Sequence, residues 1–249
     1  MLKCDRMNIV RFLNEPHYQT YLKGKECSYW DKDLNWDMAR NDNLNEDLKS
    51  LAVDVASMSA HVEILGMQNA AELLSQCSDF ALKISLGQAV NDEARHAELF
   101  AKYATIANGY IKDFSKTQEV YDEHFNNLNT FDEVFLSHVF LENGALEQFN
   151  VFVNTFGEDS LIGQIYKGAL QDESRHVQMG IQYFKRKILL EDGFSDFIYN
   201  HLNNYRNILH MNQAAIDWFS QLSGISSEQI KDRIEKRHDS FINRMIKVE

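Results

Sequence analysis

The chain has 249 residues, 44% hydrophobic and 12% aromatic, enough to bury a sizeable core in one large domain or two small ones. A formal net charge of −12 argues against nucleic acid as a partner, since phosphates are held by basic surfaces. With one proline and 11 glycines there are too few turn residues for a β-rich fold of this length, so long helices are expected.

The opening stretch MLKCDRMNIVRFLNEPHY is charged throughout and lacks a secretory apolar core. No run approaches eighteen uninterrupted apolar residues, so no membrane span is expected. Cys4, Cys27 and Cys77 are odd in number and show no CxxC spacing, which disfavours a disulfide framework and a thiolate metal site. A reducing, cytoplasmic setting is expected.

Residues 1–46 are polar, with scattered aromatics and little periodicity. Apolar residues then recur at helical spacing over about 47–76. A break at Cys77-Ser78-Asp79 precedes a second helix, which Asn108-Gly109 stops. Residues 110–129 read as a polar connector. Thr130 and Glu133 form a capping-box signal for a third helix, ended by Gly157. Ser160 opens a fourth, ended near Gly193, and two further helical stretches are expected at about 195–222 and 226–247, the last opened by Ser226 and Gln229. No Pro/Gly/Ser-rich linker separates these parts. The expectation is a single all-α domain over 1–249, with a bundle over about 47–192 and flanking segments 1–46 and 193–249.

The pentapeptide DEARH (Asp92-Glu93-Ala94-Arg95-His96) returns as DESRH (Asp172-Glu173-Ser174-Arg175-His176). Residues three apart share a helix face, so each Glu and His can aim at one point, and this pair suits a divalent first-row metal. Spacing alone is weak: Glu235 and His238 share it within KDRIEKRHDS, where a solvated face is expected. The DE[AS]RH copies differ because each interrupts an apolar helix, where unpaired ionisable groups are costly.

Further carboxylates stand at Glu63 in the first helix and Glu142 in the third. Glu63 and Glu93 are 30 residues apart with their midpoint on the Cys77–Asp79 break. Glu142 and Glu173 are 31 apart with their midpoint at Gly157. In antiparallel hairpins each carboxylate therefore faces its Glu-x-x-His partner about 20 Å from its own turn. Paired hairpins would bring four carboxylates and two imidazoles together. Two divalent metals would cancel the charge of the four carboxylates, as in ferritin-like dinuclear bundles.

On these residues the chain resembles the ferritin-like di-iron carboxylate superfamily over roughly residues 47–192. The DExRH form is similar to the hydroxylase subunits of bacterial multicomponent monooxygenases and to the p-aminobenzoate N-oxygenase group. The architecture is also similar to that of ribonucleotide reductase small subunits and their oxidase relatives. The resemblance implies a ferritin-like four-helix bundle of two antiparallel helical hairpins, with additional N- and C-terminal helices, and Glu63, Glu93, His96, Glu142, Glu173 and His176 as ligands of two Fe ions, or of Mn/Fe. Asp92 and Asp172 would orient the imidazoles of their own or the neighbouring helix, and Arg95 and Arg175 would hold the acidic groups; for these four the bland alternative is a local i,i+3 ion pair. The N-oxygenases carry an extra histidine where this chain has Ala169, and His138, one turn before Glu142, is a candidate seventh ligand or a core histidine.

The implied activity is dioxygen-dependent oxidation of a small organic substrate, by hydroxylation, N-oxygenation, desaturation or bond cleavage. An external electron donor, ferredoxin or a flavin reductase, would be needed, since the chain has neither a dinucleotide fingerprint nor an Fe–S cysteine set. The resemblance also makes a homodimer plausible. Small residues near the ligands (Ser59, Gly66, Ala89, Ala97, Ala145, Ala169, Gly180) would either open a substrate cavity or serve close helix packing. Phe100, Phe140, Phe184 and Met67 are candidates to line such a cavity, and Tyr103 and Tyr183 to carry electrons, though core packing explains all six. Two other functions stay open: iron or manganese storage with peroxide defence, and a metal-free helical scaffold.

Overall fold

The structure, a computed structural model, describes residues 12–205, 216–217, 220–221 and 223–247. Among the described residues there is no strand. The elements in chain order are α1 (Pro16–Cys27), a 3-10 turn (Trp30–Asp33), α2 (Met38–Asn41), α3 (Glu46–Gln76), α4 (Phe80–Asn108), α5 (Ser115–Phe125), α6 (Phe131–Phe156), α7 (Leu161–Leu190), α8 (Phe194–Tyr205) and α9 (Ser227–Ile246).

The long helices begin and end where side chains satisfy the orphan backbone groups of helix termini. Asn45 Oδ1 accepts from Leu48 N at 2.9 Å to open α3, and Asp79 Oδ1 does the same for Leu82 N in α4. Thr130 with Glu133 and Ser226 with Gln229 form reciprocal capping boxes at the starts of α6 and α9, as their spacing predicts. Gly109 ends α4 at φ 86°, a left-handed conformation costly for any residue with a Cβ.

α3 and α4 form one antiparallel hairpin and α6 and α7 another; α3 faces α6, and α4 faces α7. The two hairpin turns lie at opposite ends, so the apolar interior divides into two clusters. One holds Leu73, Leu82, Phe135 and Phe184 near the α3–α4 turn; the other holds Ala56, Phe100, Phe156 and Tyr166 near the α6–α7 turn. The seam between them falls at residues 60–70 of α3, 89–99 of α4 and 169–177 of α7. Glu63, Glu93, His96, Glu173 and His176 lie in that seam.

Outside the bundle, α1 packs on α4 and α7, α5 on α3, and α9 on α6, α7 and α8. Residues 1–46 contain the expected additional N-terminal helix, α1, started by Pro16 at its first turn, where a missing N–H costs nothing. Two sequence expectations need correction. The connector at 110–129 contains helix α5, whose polar composition hid it. His238 is not on a solvated face: it is 1% exposed, its ring 4.4 Å from that of Phe140. Part of the stretch expected at 195–222 lies outside the described residues, as does Cys4.

Candidate metal centre

All six residues singled out by spacing are buried, Glu142 joining the five seam residues from α6. Ligand-type atoms of Glu63, Glu93, His96 and Glu173 lie within 4.8 Å of one another, and so do those of Glu93, Glu142, Glu173 and His176. Glu93 and Glu173 belong to both groups, so the cluster is two compact four-residue sets sharing a pair of carboxylates. His96 Nδ1 lies 3.1 Å from Glu173 Oε1 and 3.4 Å from Glu63 Oε2, and His176 Nδ1 lies 3.2 Å from Glu93 Oε1. Despite this crowding, His96 Nδ1, Glu93 Oε1 and Glu173 Oε1 make no hydrogen bond. Buried polar atoms are normally paired, so an acceptor-rich knot of this kind fits a cation.

Electrostatics agree with that reading. Burial and the neighbouring carboxylate of Glu93 push Glu63 well above its ordinary range; burial and Glu173 do the same to Glu142. Burial alone would lower His96 and His176, but the surrounding carboxylates outweigh it and raise both well above the usual imidazole value. The protein atoms alone thus hold protons where paired metal ions would hold positive charge.

The Asp and Arg residues of the repeat do more than form local pairs. Asp172 on α7 accepts from His96 Nε2 on α4 at 3.1 Å, and Asp92 on α4 lies 3.4 Å from His176 Nε2 on α7. Each aspartate therefore orients the histidine of the other repeat. Arg95 donates to Asp92 at 2.8 Å and to Asp172 at 2.6 Å; Arg175 donates to Asp92 at 3.1 Å and also to Asp172. The i,i+3 pairs and the cross-helix pairs coexist in one closed network. Burial would raise both aspartates, but their imidazole and guanidinium partners hold both below the ordinary range, so they stay ionised. Sequence reasoning missed Trp30, whose indole Nε1 donates to Asp172 Oδ2 at 2.9 Å. No local spacing could have found it, as it lies 142 residues away.

On the opposite side a cavity of about 190 Å³ opens against Glu63, Glu93, Glu142 and Glu173. Of the small residues proposed to make room, Ser59, Gly66 and Ala145 line it. Ala89, Ala97 and Ala169 are buried in packing, and a Cβ on Gly180 would collide with Val139, so these serve close helix contact. At Gly66 a Cβ would come within 2.8 Å of Glu93 Oε2, so the missing side chain lets that carboxylate lie against α3.

Phe100, Phe140, Phe184 and Met67 do not line the cavity; Met58, Val62, Leu65, Leu141 and Phe149 supply its apolar wall. His138 lines it too, its Nε2 3.3 Å from Glu142 Oε1 without hydrogen-bond geometry. Burial lowers His138 to about 4, so it is neutral, and it stands outside both ligand groups. Tyr121 of α5 completes the wall, its phenol pushed up to about 12 by burial and then by Glu142 and Glu63. Tyr103 is core, and Tyr183 donates to Asp132 at 2.6 Å. Tyr166, unforeseen, shares a hydrogen bond of 2.9 Å with Ser59 at the cavity wall.

No protein-family profile matches the chain, and no curated protein sequence does. Solved structures match it closely in shape. A tyrosine-to-phenylalanine variant of an R2-like ligand-binding oxidase with an aerobically reconstituted Mn/Fe cofactor superposes with a TM-score of 0.72 at 17% identity, covering 94% of each chain. A valine-to-alanine variant of such an oxidase, with an anaerobically reconstituted Mn/Fe cofactor, gives 0.73 at 16% identity over 95% of each. A glycine-to-leucine variant with a non-activated Mn/Mn cofactor gives 0.72 at 16% over 94% of each. No helix among the described residues is long and apolar enough to cross a membrane. The chain has the ferritin-like helical fold shared with these oxidases, built around a buried cluster of carboxylates and histidines.

Proposed function

We propose that this chain is a dinuclear-metal oxidase that uses dioxygen to oxidise a small organic substrate held in the cavity beside the cluster. The observation that carries the reading is the pair of overlapping ligand groups with a cavity opening against their carboxylates. Glu63 and His96 would serve one ion, Glu142 and His176 the other, and Glu93 and Glu173 both. The ion pair would be Fe/Fe or Mn/Fe, since carboxylate-rich sites with two imidazoles suit either; the Mn/Fe cofactors of the structural neighbours favour the same class. When bound, such a pair supplies the electrons that reduce dioxygen and the oxidising power for the substrate.

The chain's own groups set the conditions for that chemistry. Asp92 and Asp172 draw Nε2 of the crossed histidines, which turns each Nδ1 toward the carboxylates, where its lone pair would be free for an ion. Arg95 and Arg175 keep both aspartates ionised. The cavity wall of Val62, Leu65, Leu141 and Phe149 excludes water, while Ser59, Gly66 and Ala145 leave room for substrate. An engineered cavity of about 150 Å³ accepts benzene, so a volume of this order suits a single-ring or short-chain molecule. Electrons would come from a separate donor, a ferredoxin or a flavin reductase.

The deciding experiment is anaerobic loading with Fe(II), or with Mn(II) and Fe(II), followed by elemental analysis and oxygen-uptake measurement with a chemical reductant. Two metals per chain and oxygen uptake linked to reductant are expected. Uptake of many irons per chain would instead indicate storage. Less than about half a metal per chain would overturn the reading, because a ligand set of this kind binds first-row ions firmly.

A further inference from the structure

A second concave site lies on the flank of the bundle, between α6 and α9. It is a groove of about 490 Å³ lined by Asn143 and Glu147 of α6 and by Arg233, Lys236, Arg237, Ser240, Phe241 and Arg244 of α9. Arg233, Arg237, Ser240 and Arg244 follow one another at i, i+4, i+7 and i+11, so they form a single stripe about 16 Å long on one face of α9. The adjoining stripe of the same helix, Ile230, His238, Phe241 and Met245, is buried, and Phe241 sits where the two meet.

The groove is short of acceptors. Glu147 takes Arg237 at 2.9 Å and lies 3.9 Å from Arg233. Lys236 pairs with Asp232 at 2.7 Å, and Arg244 has the neutral Gln178 amide oxygen at 3.0 Å. Among the described residues four cations thus face two carboxylates, a local positive excess on a chain whose net charge is −12. At the floor, Asn143 is 3% exposed, and its Nδ2 has no hydrogen-bond partner. A buried amide donor left unpaired is costly, and it is relieved by an acceptor entering the groove. Phe140 meets Phe241 while Glu147 meets Arg237, so the helices run antiparallel and Asn143 lies alongside the 237–241 turn of α9.

We propose that this groove binds a small phosphate-bearing molecule, its phosphate accepting from Asn143 Nδ2, Arg237, Ser240 and Arg244. A phosphate monoester carries close to two negative charges at neutral pH, matching the local excess, whereas a carboxylate brings one. Arginine's planar fork suits a phosphate's paired oxygens. The volume exceeds that of the phosphate alone and leaves space for its organic part. The site is separate from the metal cluster and rests on none of the chemistry proposed there.

The test is calorimetric titration of the full-length protein with inorganic phosphate and with a sugar phosphate, against acetate at matched ionic strength. Saturable phosphate binding is expected, tighter for the sugar phosphate, weakened about tenfold by Arg244→Gln and by at least that much by Asn143→Asp, which puts a negative charge on the floor. Because Arg244 is exposed, R244Q keeps the test decisive even if N143D misfolds. Absence of saturable binding up to about 10 mM phosphate overturns the proposal. So does acetate binding as tightly as phosphate, or R244Q binding like the unaltered chain. A response only to an acidic protein, with none to phosphate, overturns it in favour of a macromolecular partner.

Discussion

The two sides of the cluster are built in opposite ways. On one side Asp92, Asp172, Arg95, Arg175 and Trp30 form a network in which every aspartate oxygen is taken, although Nε of both arginines is left without a hydrogen-bond partner. On the other, Glu63 and Glu142 face a cavity walled by apolar residues and by polar groups with spare capacity, such as His138. The difference separates two tasks. A ligand must be held in one orientation, which takes a rigid outer network; a substrate must enter and leave, which takes volume and a wall able to give way. Substitutions on the network side should therefore cost stability, and those on the cavity side should cost activity.

The largest effect is expected at Asp172. Asp172→Ala removes the acceptor shared by Trp30, Arg95, Arg175 and His96, and leaves charges buried without a counterpart. The loss should be about 3–5 kcal/mol, read as a lower denaturant midpoint of the metal-free protein. A loss under about 1 kcal/mol would mean that the network is not what fixes this side. Trp30→Phe keeps an aromatic side chain but deletes the N–H donor to Asp172 together with the five-membered ring that carries it, so it should cost about 1–3 kcal/mol in the same assay.

The cavity side should behave in the reverse sense. Ala145→Leu fills space beside Glu142 at a position already lining the cavity, so stability should change by less than about 1 kcal/mol. Metal content should stay at the level of the unaltered chain, while reductant-linked substrate oxidation falls at least tenfold. Equal turnover in A145L and the parent would show that substrate sits elsewhere.

Much of this contrast could be read from the sequence, though unevenly. The hairpins were legible because apolar period, capping residues and the midpoints of Glu63–Glu93 and Glu142–Glu173 all agree. The cluster followed because positions equidistant from a turn lie at one height. The crossed pairing of Asp92 with His176 and of Asp172 with His96 was not, since spacing within a helix cannot say which neighbour a side chain meets. Trp30 and Tyr121 escaped for the same reason: they arrive from polar segments whose placement depends on tertiary contact. His238 was misjudged from its charged neighbours, although Ile230, Phe241, Ile242 and Met245 trace a buried stripe that passes through it. Charge density marks the outer face of such a helix and conceals the inner one.

A pH-dependent effect is expected at His138, the neutral histidine on the cavity side. Burial holds it at about 4, against an ordinary 6.5 in the unfolded chain. As pH falls from 6.5, the unfolded chain takes up this proton before the folded one can. The stability associated with the neutral ring is therefore complete above pH 6.5 and is lost progressively down to about pH 4. Glutamine in its place is neutral throughout, so His138→Gln should show a shallower fall of the denaturant midpoint across that window in metal-free protein, by about 1–3 kcal/mol. Other acids and histidines titrate in both proteins, and the difference between the two curves isolates position 138. Parallel curves would mean that the ring takes up its proton in the fold at the same pH as in the unfolded chain, so that the cavity wall does not hold it neutral and the contrast between the two sides of the cluster is weaker.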